Sequence, residues 1–192
     1  YNTLDSIIWM AEGRKYEEVV LMTASLARLL RQSISNEDEV VPLAREVEYA
    51  KGYLTIQKMR YKDKLEFEIN VEPSILNIPL IKLVLQPIIE NAIYHGLKYK
   101  ESKGLLQVKG FMKDGNAVLQ VIDNGVGMDE ETLAHIYDKH KVNYHSNGVG
   151  VYNVQKRLQL YYGESYGITY ESEKGVGTTA TITIPGMQEE SI

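Results

Sequence analysis

The spacing of apolar residues changes at Lys64, about a third of the way along this chain of 192 residues. Between residues 16 and 35 the apolar side chains recur at steps of three and four, which places them on one stripe of a helix. After Lys64 they alternate with polar residues, beginning with Leu65, as in a strand with one buried face. A helical period followed by a strand period predicts an α+β fold.

The apolar pattern of the N-terminal part predicts a helical hairpin that ends near Arg60. A polar break at residues 35–39 separates the first long stripe from a second helix, and Pro42 suits the first turn of that helix. Two antiparallel helices cannot bury both apolar stripes on each other, so the remaining surface should meet the next domain or a second copy of the chain. We therefore predict a homodimer and a helical dimerisation segment over residues 1–61.

In residues 62–192, strand-like runs are interleaved with a few helical runs. This pattern predicts a second domain, a two-layer sandwich with helices on one face of a mixed sheet. Turn residues at 114–116 and 174–177 each close a hairpin. In the last strand, the alternation turns Ala180, Ile182 and Ile184 toward the core and Thr179 away from it. The predicted strands are 65–71, 106–113, 117–122, 168–172 and 178–184, and the predicted helices are 80–97, which Pro87 must open or kink, and 152–162.

Composition removes several classes of function. The 21 Lys and Arg against 26 Asp and Glu give a net charge of −5, with no basic run longer than two, which argues against a nucleic-acid partner. The absence of Cys excludes disulfides, thiolate metal sites and a Cys nucleophile. No stretch approaches the ~18–20 apolar residues of a membrane span. The chemistry must come from Asp, Glu, Asn, His and the backbone.

One segment, residues 86–96, combines an amide and an imidazole on a predicted helix. Asn91 and His95 lie four residues apart on one face, and Glu90 lies about 100° around the helix from Asn91. An Asn oxygen is a ligand that Mg²⁺ accepts when phosphates supply its other oxygens. The alternative is that Asn91 bonds locally and His95 ends the helix before Gly96.

Three glycine-rich segments follow, at residues 123–128, 146–151 and 175–179. In the first, a carboxylate at a strand end could accept a hydrogen bond from an exocyclic amine, although a simple Asn-Gly turn is the alternative. The second opens a helix and could present free N–H groups to a phosphate. It is not a dinucleotide fingerprint, because Asn153 occupies the place of the third Gly, and the chain has no P-loop.

The order and spacing of these segments resemble the sensor histidine kinases of the LytS/YesM type. Their catalytic domain belongs to the gyrase, Hsp90, histidine kinase and MutL ATP-binding superfamily. The resemblance covers essentially the whole chain. The matching stretches are 49–60, the N box at 85–96, and glycine boxes at 123–127, 148–158 and 175–179.

The resemblance implies a role for each matched position. Asn91 would be the Mg²⁺ ligand, with Glu90 beside it as a candidate base or supporting carboxylate, and His95 would lie along the nucleotide. Asp123 would read the adenine amino group, and Thr179 would support that contact through water. Residues 128–147 would be a lid over ATP. The backbone would approach the base and the phosphates at Gly125, Gly127, Gly148 and Gly150.

Three departures from related patterns bear on the function. Related ATPases and anti-sigma Ser kinases carry a Glu four residues before the Asn, where this chain has Pro87, which cannot act as a base. Tyr94 replaces a common Lys, and Lys98, Lys139 or Lys141 would have to supply that phosphate contact. The chain begins at the Tyr-Asn of the phosphoacceptor motif, so the acceptor His would lie three positions before Tyr1.

We therefore predict the cytoplasmic catalytic core of a two-component sensor histidine kinase. It would bind Mg-ATP and transfer the γ-phosphoryl group to a His upstream of this chain, and then to an Asp of a response-regulator protein. This fragment would not phosphorylate itself, and membrane spans of the parent protein would lie upstream. The alternatives are a nucleotide-regulated binding module, an anti-sigma-type Ser kinase of the same fold, and a purely structural helical adaptor.

Overall fold

The computed structural model describes residues 2–34, 39–137 and 148–186. The helices are α1 (Asn2–Glu12), α2 (Tyr16–Ile34), α3 (Leu43–Tyr61), α4 (Leu85–Asn91), α5 (Glu130–Ala134) and α6 (Gly148–Tyr162). The strands are β1 (Val40–Pro42), β2 (Leu65–Val71), β3 (Pro79–Ile81), β4 (Gly104–Lys113), β5 (Asn116–Asp123), β6 (Gly167–Glu173) and β7 (Gly177–Pro185). Helix α4 continues as a π-helical segment, Ala92–Leu97, and short 3-10 turns occupy Lys62–Lys64 and Pro73–Ile75.

Five strands form the main sheet, in the order β2-β4-β5-β7-β6. β2 runs parallel to β4 and every other neighbouring pair is antiparallel, so the sheet is mixed, as predicted. In the register of the last three strands, Val121 lies opposite Ala180 and Ala180 opposite Tyr170. Asp123 lies opposite Thr178 in the next row but one. The residues of these two rows form one side of the cavity described below.

One face of the sheet is apolar and covered by helices. Ala180, Ile182 and Ile184 are all buried, which confirms the predicted direction of alternation in β7. The buried cluster joins this face to α3, α4 and α6. It includes Ile88 of α4 and Val154 and Leu158 of α6. The predicted α+β class is confirmed.

Helix α3 belongs to this core as well as to the N-terminal helices. Its Leu43, Ala50, Tyr53 and Leu54 are buried in the same cluster as the sheet residues. Its Ile56 instead packs in a second, small cluster with Met10 and Met22 of α1 and α2. One helix therefore shares both clusters, and the domain boundary after residue 61 stays a prediction.

Two local predictions were wrong. The stretch 80–97 is not one kinked helix, because β3 occupies its start and pairs with β1, and α4 begins only at Leu85. Pro87 lies in the first turn of α4, where a missing N–H costs no intrahelical bond. The described N-terminal residues form three helices rather than a hairpin. Arg14 lies between α1 and α2, and its φ of 57° is not compatible with one continuous helix. No described helix is long and apolar enough to cross a membrane.

Candidate functional site

A cavity of about 550 Å³ lies on the helical face of the sheet, beside the end of α4. Asn91 and His95 line it from α4 and its π-helical continuation, and Asp123 and Thr178 line it from the strand ends. Val121, Ala180 and Tyr170 form the row of the sheet that borders it. The volume and the mix of apolar walls with few polar groups are typical of a small-molecule site.

Asn91 is the last residue of α4, and its side-chain oxygen has no hydrogen-bond partner in the part of the chain that the structure describes. Oδ1 is buried and accepts no hydrogen bond from any described residue. A buried acceptor without a partner costs free energy, so such an atom needs an explanation, of which an absent ligand is one. The oxygen suits a hard cation or a donor within the cavity.

The π-helical turn after Asn91 decides how the next residues face the cavity. The Lys98 N–H donates to the Ile93 carbonyl at 2.8 Å, a spacing of five residues. The wide turn brings His95 and Gly96 to the cavity together with Asn91. Partial burial lowers the pKa of His95, and the Lys98 ammonium lowers it further, which favours the neutral imidazole at pH 7.

Glu90 does not line the cavity. Its Oε1 accepts a hydrogen bond from Nε2 of Gln86 at 2.9 Å. Burial raises the pKa of the Tyr53 phenol of α3, and the Glu90 carboxylate raises it further, so Glu90 lies on the side of α4 that approaches α3. The structure therefore separates Glu90 from Asn91, although the two are adjacent in sequence.

Asp123 ends β5 as a buried carboxyl group with a relative exposure of 6%. Burial raises the pKa of Asp123 to about 6, against the opposing effects of backbone N–H bonds from Gly125 and Thr178 and of the Lys100 ammonium. Oδ1 accepts the Gly125 N–H at 2.8 Å. A carboxylate held at the cavity wall can still accept a hydrogen bond from a ligand amine.

The glycines around Asp123 are required because backbone segments approach one another closely. A Cβ on Gly96 would lie 2.6 Å from Oδ1 of Asp123, and one on Gly125 would lie 2.4 Å from the Gly96 carbonyl carbon. Gly127, at φ +62°, would place a Cβ 1.9 Å from the Glu173 carbonyl oxygen. The close approach of these backbone segments forms the part of the cavity wall around Asp123. Gly96 was not predicted as a site residue, because a Gly after a helical His resembles an ordinary helix end.

The structure does not bring Thr179 to this cavity. Thr178 lines it and shares a face with Ala180, while Thr179 lines a second groove, which Asp123 and Thr178 also border. Because strand side chains alternate between faces, Thr178 rather than Thr179 lies at the cavity wall, and the predicted role of Thr179 stays a prediction. The sequence alternation had predicted that Thr179 faces away from Ala180, Ile182 and Ile184.

Gly148 and Gly150 lie in the first turn of α6, and Gly150 is not among the described residues that line the cavity. Gly150 lies over Pro87 of α4, where a Cβ would make an ordinary contact of 3.6 Å. The first turn of α6 therefore sits beside the first turns of α4. Of the two predicted positions, Gly150 therefore lies near the helix that carries Asn91.

Helix α5 and the residues after it cover part of the cavity. Oδ1 of Asp129 caps α5 by accepting the Thr132 N–H at 3.0 Å, and Thr132 and Ile136 line the cavity. The Tyr137 hydroxyl donates to the Ile168 carbonyl, and its ring meets that of Tyr170 edge-on at 6.1 Å. The rest of the predicted lid, with Lys139 and Lys141, lies outside the described residues.

Comparison with protein families identifies this arrangement. Residues 77–188 match the family model described as Histidine kinase-, DNA gyrase B-, and HSP90-like ATPase. The chain belongs to this ATPase family. Residues 1–65 of the same chain match a second family model, described as Histidine kinase. The predicted resemblance is confirmed.

The ATPase-family chain is also similar to curated sensor proteins. It is 33% identical to sensor histidine kinase YesM of Bacillus subtilis over 98% of this chain and 31% of YesM. It is 34% identical to sensor protein LytS of Oceanobacillus iheyensis over 72% of this chain and 24% of LytS. For sensor histidine kinase BtsS of Escherichia coli the identity is 28%, over 98% and 31%. The chain thus spans less than a third of these relatives.

Solved structures share the ATPase-family fold. The catalytic domain of histidine kinase ThkA superposes with a TM-score of 0.60 at 16% identity, over 79% of this chain and 100% of that domain. The histidine kinase domain of the blue-light activated kinase from Erythrobacter litoralis gives 0.56 at 16% identity, over 88% and 73%. At this identity the likeness shows the fold alone.

Proposed function

We propose that this chain is the catalytic core of a sensor protein-histidine kinase that binds Mg-ATP in the cavity beside α4. The observation that carries the proposal is the pair of polar groups that line one cavity, the buried Asp123 carboxyl and the Asn91 oxygen, which has no hydrogen-bond partner among the described residues. The first suits an adenine amine and the second suits a metal-bound phosphate.

The adenine end of the site would lie beside Asp123. The carboxylate accepts the exocyclic amino group, and Thr178 stands next to it in the register of the sheet. Val121 and Ala180 supply an apolar surface for the flat face of the base. His95, as a neutral imidazole at the cavity rim, lies along the nucleotide.

The phosphate end would lie toward Asn91 and the start of α6. The Asn91 oxygen fits Mg²⁺, which when bound would neutralise phosphate charge. Gly148 and Gly150 open α6, whose first N–H groups and positive dipole end favour a phosphate. Phosphoryl transfer depends mainly on such positioning and charge stabilisation, so these groups are the catalytic contribution of the chain.

The phosphoryl acceptor would be a His that lies outside this chain. Relatives named sensor histidine kinases and the match of residues 1–65 to the histidine kinase model support this acceptor. Glu90 faces α3 rather than the cavity, so as a base it would serve an acceptor approaching along the helical segment. Pro87 disfavours the water or Ser activation of the anti-sigma-type alternative.

The parent protein would pass the phosphoryl group to an Asp of a response regulator. We propose that it works as a homodimer at the cytoplasmic side of the cell membrane, with its membrane spans upstream of this chain. The exposed apolar side chains of α1 and α2, among them Ile8, Trp9 and Val20, support a dimer surface on these helices.

The test is calorimetric binding of ADP and of a nonhydrolysable ATP analogue, with and without Mg²⁺. Asp123→Asn should abolish binding, while Asp114→Asn, in the turn before β5, should not change it. A longer protein that includes the upstream His should then take label from γ-labelled ATP. Binding without label transfer would favour a nucleotide-regulated module, and no binding by folded protein would leave the helical adaptor.

A further inference from the structure

Glu46 of α3 is a buried carboxylate bonded to the start of another helix. Its relative exposure is 2%. Oε1 accepts the Leu83 N–H at 2.8 Å, and Oε2 accepts the N–H groups of Val84 and Leu85 at 2.9 and 3.0 Å. Val84 precedes the first residue of α4 and makes no side-chain cap of its own. Glu46 thus caps α4 from a separate element.

The backbone that Glu46 holds is strained. Leu83 has φ +62°, a left-handed conformation that bulky L residues rarely adopt. Such a conformation persists only where the surroundings enforce it. The bond from the Leu83 N–H to Oε1 of Glu46 is one such constraint, so loss of the carboxylate would let Leu83 relax and turn the start of α4.

Other contacts fix the same segment from the opposite side. The Tyr162 hydroxyl of α6 donates to the Pro79 carbonyl at 3.0 Å and accepts the Ile81 N–H at 3.2 Å. Nη2 of Arg157, also on α6, donates to the Lys82 carbonyl at 2.9 Å. The residues before α4 are therefore the junction of α3, α4 and α6.

We propose that Glu46 is a positioning residue through which α3 sets the orientation of α4 and thereby the affinity of the nucleotide site. Asn91 lies at the far end of α4, which has seven residues and a length of about 10 Å. A helix this short transmits a tilt at Leu85 directly to Asn91. The proposal rests on the proposed function, since it concerns the same nucleotide.

The experiment compares Glu46→Gln with Glu48→Gln, a half-exposed neighbour on α3 paired with Arg45. The carboxamide keeps the size of Glu46 but turns a donor toward N–H groups. We expect about tenfold weaker ADP binding for Glu46→Gln in calorimetry well below Tm, and unchanged binding for Glu48→Gln. By linkage, ADP should slow amide exchange at Leu83, Val84 and Leu85 in the unaltered chain and much less in Glu46→Gln.

Two further variants separate positioning from folding. Leu83→Gly removes the strain, so adding it to Glu46→Gln should restore part of the lost affinity. If Glu46→Gln does not fold, Glu46→Asp, which keeps the charge on a shorter side chain, should show the same weakening to a smaller degree. Folded Glu46 variants that bind ADP as well as the unaltered chain would overturn the proposal. No binding by the unaltered chain would instead overturn the proposed function.

Discussion

The sheet with its covering helices and the pair α1–α2 differ in how completely they bury their apolar residues. Among the described residues, the main cluster has 28 buried members, most of them from α3, the strands, α4 with its π-helical continuation, and α6. The second cluster has three buried members among the side chains that the structure describes, Met10, Met22 and Ile56, while Trp9 and Val20 are 53% and 68% exposed. The first region can be stable through its own packing, whereas α1 and α2 need another surface.

The largest expected contrast is between core deletions in the two regions. Ile182→Ala opens a cavity in the main cluster and should cost about 4 kcal/mol of unfolding free energy. Met22→Ala should cost about 1 kcal/mol or less in the same measurement, because α1 and α2 can open locally. Urea titration followed by circular dichroism measures both. Equal losses would show that the two regions unfold as one unit.

A second contrast separates glycines that close the site from glycines in open turns. Gly127→Ala forces a Cβ into the Glu173 carbonyl and should cost about 3 kcal/mol. Gly115→Ala has a similar positive φ but nothing within 4 Å, so it should cost about 1 kcal/mol. Thermal unfolding of the two variants measures the difference. Similar losses would mean that close approach at Gly127 is unimportant.

A third prediction uses the pH dependence of stability. The pKa of Asp123 is raised from 3.8 to about 6, so the folded state holds this proton more tightly than the unfolded chain. The resulting stabilisation is complete below about pH 4 and is lost as the pH rises to about 6. Asp123→Asn should remove this slope and stabilise the chain at pH 8 by up to about 3 kcal/mol.

The same group predicts the pH dependence of binding. Because the adenine amine needs the ionised acceptor, ADP affinity of the unaltered chain should be constant above about pH 7 and fall below about pH 6. Calorimetry at several pH values tests this expectation. An affinity that does not change between pH 5 and pH 8 would remove Asp123 from the binding site.

The smallest expected effect concerns association through α1 and α2. Val20→Ser removes an exposed apolar side chain and should weaken self-association about tenfold, as measured by analytical ultracentrifugation. The unfolding free energy of the sheet region should hardly change, because Val20 packs in neither buried cluster. Unchanged association would place the dimer contact elsewhere.

Local patterns predicted most of the sheet and part of the site. The hairpin of β4 and β5, the burial of Ile182, and the position of Asp123 at a strand end all follow from residues close together in sequence. Alternation and turn composition act over a few residues, so one sequence is enough to detect them. The short pair β1–β3 was missed because three-residue strands show no alternation.

The sequence by itself predicted the α+β class, and its resemblance to known kinases predicted the family and one site that combines Asp123 with Asn91 and His95. Only the tertiary structure showed that Glu90 faces α3, that Thr178 rather than Thr179 reaches the cavity, and that Gly96 must be a glycine. The cap from Glu46 to α4 joins residues 37 to 39 positions apart. Such relations depend on which elements meet in space, and neither propensity nor local period specifies that.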